Sequence, residues 1–230
     1  SRTGSVERPG LPDPDPETTS VDGFVNRNGV DETWANIIAG AGVAAGDSEL
    51  SANVITITAS ATANQWSTLS RGILLFDTSA LTSAANISAA VLSIFGANKL
   101  DLLGIAPDID IYTSTPASNT ALVAADFTQI GSVSQTGSPI TYAAYSTVAY
   151  NDFTFNATGR GNISKTGVSK FGVRNANYDV AANAPAHTAN LASRMNFILA
   201  DTSGTSTDPK LVITYTKGGV KPTLLFLGVG

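Results

Sequence analysis

The residues able to do chemistry are few. One histidine, His187, stands in the stretch NAPAHTAN, and the chain has no cysteine. A Ser-His-Asp triad would have to use that imidazole, yet there is no GxSxG elbow and no serine in a strand-turn-helix context. Zinc needs several imidazole or thiolate ligands, which this inventory excludes. Close carboxylate pairs occur at Asp13 with Asp15, Asp31 with Glu32, and Asp108 with Asp110. Glycoside hydrolysis would require two carboxyls about 5–9.5 Å apart across a cleft. Asp108 and Asp110, two apart on a strand, read more simply as a solvated edge, so no catalytic residue is assigned and the chain is read as a non-enzyme.

A hard cation is the more plausible inorganic ligand, because calcium takes six to eight oxygens from carboxylates, amides and carbonyls. The segments VDGFVNRNGVDE and GDSE offer Asp22, Asn26, Asp31, Glu32 and Asp47, with Asp22, Asp31 and Glu32 the best candidates. No EF-hand spacing is present, and the competing reading is that these are turn residues satisfying backbone donors. Apart from calcium no cofactor is implied. Aromatic rings supply the other binding chemistry, since indole and phenol rings pair a large apolar area with a polar handle. Trp34, beside Ile37 and Ile38, reads as core; Trp66 and Tyr178, in polar, turn-rich surroundings, are the candidates for an exposed sugar-stacking face. The Asn-x-Ser/Thr triplets at Asn86, Asn156 and Asn162 are what chance gives in so Asn- and Thr-rich a chain.

The elements that must carry these residues are short. At 230 residues, 43% apolar and only 13% charged, the chain suits one large all-β domain with a hydroxyl- and amide-rich surface. A net charge of −5 excludes a phosphate-neutralising surface and hence nucleic acid. No stretch reaches the roughly 20 apolar residues of a membrane-spanning helix. Residues 1–20, with prolines at 12, 14 and 16, read as an extended arm or linker outside the core.

From residue 21 to 216, β-branched runs alternate with Gly, Asn, Asp, Ser and Pro clusters. Strands are expected at 53–60 (NVITITAS, half-buried by its alternation), 71–76, 87–95, 109–113, 127–133, 152–155, 168–174, 195–199 and 211–216 (LVITYT). Helical turns are expected only at 121–125 and 157–164. Many short strands separated by turns predict a single-domain antiparallel jelly-roll β-sandwich. Residues 217–230 form a Gly-hinged tail whose apolar run, Leu224, Leu225, Phe226 and Leu227, would either dock on the domain's own sheet or add to a neighbouring subunit.

Residues 71–95, RGILLFDTSALTSAANISAAVLSIF, carry a strand ending in Phe76-Asp77, a small-residue turn, then an Ile-Ser-Ala-Ala-x-Leu strand. With the closing strand DPKLVITYT (208–216), and with YNDFTFNAT (150–158) and FGVRN (171–175), this resembles the DNRLRE-domain family, also met as disaggregatase-related repeats. The resemblance spans about residues 21–216. It implies a jelly-roll sandwich of extracellular bacterial and archaeal proteins and virus-like particles, some members being treated as carbohydrate-binding modules. It transfers no catalytic residue, only Phe76 and Asp77 as a strand-end pair. The expectation is therefore a structural or attachment module at the cell surface, outside the cell or on a virion. Its partners are other copies or filament neighbours, and the alternative function is glycan binding.

Overall fold

The computed structural model describes residues 9–10, 19–48 and 54–217. Its strands are β1 (Pro9–Gly10), β2 (Asp22–Glu32), β3 (Ala44–Gly46), β4 (Thr56–Ala59), β5 (Trp66–Asp77) and β6 (Asn86–Asp101). They continue with β7 (Ile109–Thr113), β8 (Tyr150–Thr154), β9 (Val168–Asn175), β10 (Ala192–Phe197) and β11 (Lys210–Thr216). The short helices are α1 (Trp34–Ala39) and α2 (Ala157–Gly161). Every strand pairing is antiparallel, and the chain is an all-β sandwich.

The first sheet runs β1–β11–β6–β8. In the second, β5 is central: β2 lies along one edge, while β4 and β9 share the other, and β3 and β7 extend the sheet outward. The sixteen-residue β6 belongs to both, because its first half pairs with β11 and its last residues pair with β10, which leads through β4 back to β5.

Alternation along β5 explains the layering. Leu74 and Phe76 face the core between the sheets, with Leu92, Ile94, Phe153, Phe171 and Phe197. Leu69, Ile73 and Leu75 face a second core on the other side of the same sheet, with Trp34, Ile37, Trp66, Tyr112 and Phe127. That second core is roofed by α1, a 3₁₀ turn (Ala124–Gln129) and a π turn (Ala176–Val180). Because both faces of the second sheet are covered, the expected half-buried alternation of residues 53–60 is replaced by burial on both sides from Val54 to Ile57.

The arm at residues 1–20 is not wholly outside the fold. Pro9 and Gly10 pair with Val212 and Leu211 as an edge strand, and Ser20 is fully buried. The expected strand at 127–133 is instead the 3₁₀ turn and the irregular chain after it. The Asp126 carboxylate accepts from Val123 N at 2.9 Å, and Phe127 is driven into the second core. The expected turn at 121–125 thus begins three residues later, at Ala124, and α2 is shorter than expected, with Asn156 accepting from Gly159 N at 2.8 Å as its cap. The tail residues Leu224–Leu227 lie outside the described residues.

Candidate functional site

Several of the residues singled out in the sequence do meet. Register pairs Glu32 with Trp66, so the far end of β2 brings Asp31 and Glu32 beside the start of β5. Trp34 follows at the first turn of α1; its ring meets that of Trp66 edge-on at 5.3 Å, and its indole N–H donates to the Tyr178 carbonyl at 3.2 Å. His187 completes the row, edge-on to Trp66 at 5.7 Å.

Burial takes the stacking role from Trp66, and each of the others has partners within the protein. Trp66 is only 3% exposed and belongs to the second core, so it offers no stacking face. Its polar neighbours in sequence are what misled; Trp34 and the 187–191 loop cover it. Tyr178 is half-buried, and its hydroxyl donates to the Ile105 carbonyl at 2.7 Å. Glu32 forms an ion pair with Arg27, whose guanidinium, acting first through its hydrogen bond, holds the carboxyl below the usual carboxylate range. Asp31 accepts from the Thr62 hydroxyl at 2.7 Å; bonds from Ser60 and Thr62 lower its pKa. Arg27, Glu32, Asn36, Ala39 and Gly40 line only a shallow surface depression.

Asp22 does not join Asp31 and Glu32. It opens β2 whereas they close it, which at strand rise places them about 30 Å apart, so the three cannot share a cation. Asp22 is instead wholly buried at the opposite end of the sandwich, accepting from Ala200 N at 3.0 Å. Burial, with repulsion from Asp201 and Asp208, pushes its carboxyl up to about 8. Among the described residues no ready group of three or more His, Cys, Asp or Glu side chains stands as a metal site. Asp110 likewise departs from expectation: it is buried, not solvated, and accepts from the Ser134 hydroxyl at 2.6 Å, the Thr136 hydroxyl at 2.5 Å and Ile111 N at 2.8 Å.

The strongest electrostatic feature was not read from the sequence. Arg71 on β5 and Arg174 on β9 both grip Asp179 in the π turn: Arg71 Nε and Nη2 at 2.8 and 2.7 Å, Arg174 Nε and Nη2 at 2.9 and 2.6 Å. Their other donors reach the carbonyls of Phe127, Ile38, Ile130 and Gly131. Burial works to raise the Asp179 pKa, but the two guanidiniums prevail and hold it below the ordinary value. An arginine inside the apolar run RGILLF and another in FGVRN were the available signals, since a buried guanidinium must find an acid. This network bolts the roof onto the second sheet; its donors are spent within the protein.

Across the described residues every aromatic ring is buried or half-buried. Only Phe95 and Tyr150 belong to neither core; they oppose each other on the outer face of the first sheet, edge-on at 5.3 Å, with Lys210 Nζ 3.7 Å from the Tyr150 ring centre. Compared with protein families and with curated proteins, the chain matches none.

Proposed function

We propose that the chain is a non-catalytic structural or attachment module of an extracellular appendage, cell surface or virus-like particle, assembling through its terminal segments. The observation that carries this reading is β1, a terminal segment already used as an added edge strand on Leu211 and Val212 of β11. Strand addition at a sheet edge provides affinity through main-chain hydrogen bonds and is a general mode of joining chains. That pairing takes up Leu211 and Val212 at the start of β11, while the tail follows its other end, after Thr216. The resemblance of residues 71–95 to extracellular jelly-roll sandwiches supports the same class, and the hydrogen-bonded state of Asp31, Glu32 and Asp110 favours a scaffold over an enzyme.

Deleting residues 221–230 and measuring mass by light scattering tests the proposal. Loss of the oligomer is the expected result, and an unchanged mass contradicts assembly through the tail. Glycan binding is the second reading, and the half-exposed Tyr150–Phe95 pair is what favours it over a role for Trp66. Binding on a glycan array that disappears in a Tyr150→Ala variant would select it.

A further inference from the structure

The sequence contains a single Asn-Gly step, Asn28-Gly29, towards the end of β2. The sheet does not hold it in place. Asn28, opposite Thr68, is the last residue of the continuous β2–β5 register, and pairing resumes only at Glu32 opposite Trp66. Gly29, Val30 and Asp31 therefore stand against Ser67 alone, a bulge whose extra residues have no cross-strand partner. Gly29 is exposed, with φ +65° and nothing within 4 Å of the place a Cβ would take. Asn28 is half-buried, and its side-chain amide makes no hydrogen bond with any described residue. A carboxamide free to turn thus precedes a main-chain nitrogen that no side chain shields and whose residue has the widest backbone freedom.

We propose that Asn28 is a site of spontaneous covalent modification in the folded protein, converted through a succinimide to isoaspartate and aspartate. The Gly29 main-chain nitrogen gives up its proton and attacks Asn28 Cγ. The new N–C bond closes the ring, the Cγ–Nδ2 bond breaks and ammonia leaves. Water then adds to one of the two ring carbonyls. Opening at Cγ gives aspartate, whereas opening at the main-chain carbonyl gives isoaspartate, in which the chain runs through the former side chain. Water is the only co-reactant, and nothing is oxidised or reduced. Either product adds a carboxylate and takes the formal net charge of −5 one unit further negative. Isoaspartate also lengthens the main chain by one carbon, at the place where the register is already broken, so neither flanking stretch of ladder has to shift.

The test uses the full chain, incubated in mildly alkaline buffer with and without urea. Anion exchange resolves the more acidic species, and peptide mapping with an endoprotease that cuts before aspartate but not isoaspartate locates it. Asn28→Asp supplies the charge standard. The folded chain should react within about tenfold of the unfolded one, because a larger protection would mark an opening step of more than about 1.4 kcal/mol before the reaction. Asn28→Gln, which removes no hydrogen bond, should lose the acidic species. Protection greater than about tenfold, or an acidic species that forms at the parent rate in Asn28→Gln, overturns the proposal.

Discussion

Replacing Asp179 by Asn neutralises the one acid between two buried guanidiniums while keeping the shape of the side chain. The parent network has two cations and one anion, with side chains 3% (Arg71), 8% (Arg174) and 0% (Asp179) exposed. Removing either arginine leaves a neutral pair, whereas removing the acid leaves two like charges facing each other without water. Breaking a buried pair by deleting one partner costs about 3–5 kcal/mol. Asp179→Asn belongs at the upper end of that range, since four charge-assisted bonds lose their acceptor charge together. Urea unfolding followed by tryptophan fluorescence is the suitable assay, because Trp34 and Trp66 lie in the core under the same roof. If repulsion is the cause, adding Arg174→Met to Asp179→Asn should recover part of the loss, a non-additivity that a double-mutant cycle measures. A loss below about 1 kcal/mol, the scale of an ordinary surface change, would refute the view that the network holds the roof.

The same pair of proteins gives a pH test. The Asp179 carboxyl is held low in the folded state, so its stabilisation is full above the unfolded value near 4 and is lost as pH falls through the lower folded value. The stability difference between parent and Asp179→Asn should be flat above about pH 5 and shrink below about pH 4; a difference that grows on acidification would contradict the assignment. Gly96→Ala should cost about 1–3 kcal/mol, because a Cβ there would stand 1.9 Å from the Ser146 carbonyl oxygen; denaturant unfolding checks it. Trp66→Ala should lower stability by about 3–5 kcal/mol as a core truncation, seen by thermal melts, and any glycan binding by the chain should survive it under conditions where the variant is folded.

The strands that could be read from the sequence are those whose pattern is settled by their own side chains. In LVITYT the buried Leu211 and Ile213 alternate with exposed Thr214 and Thr216, as a sheet with one open face requires. β2 could not be read so, because Asp22, Gly23, Asn26, Asn28 and Gly29 are turn formers by composition. It becomes a strand through its partner, pairing continuously from Asp22 opposite Leu74 to Asn28 opposite Thr68. The candidate site failed for the same reason. Burial of Trp66 is decided by Trp34 and His187, thirty-two residues before it and far after it. The bond that Asp22 accepts from Ala200 N depends on how β2 meets the chain beyond β10, for which no local periodicity exists.

Layering also decides where a partner can touch. The second sheet has no free face, its outer side being roofed and pinned by Arg71, Arg174 and Asp179. Contacts under the proposed assembly role therefore fall on the outer face of the first sheet or on its edges. That face carries Phe95, Tyr150 and Lys210, and the tail leaves the fold from β11 of the same sheet. Phe95 is half-buried and outside both cores, so Phe95→Ser should cost no more than about 2 kcal/mol of stability. If the face meets a neighbour, the same change should lower the mass measured by light scattering at unchanged folding, because a truncated central aromatic removes far more binding energy than its share of area. A variant that is folded and assembles like the parent would assign the contact to the edges and tail alone.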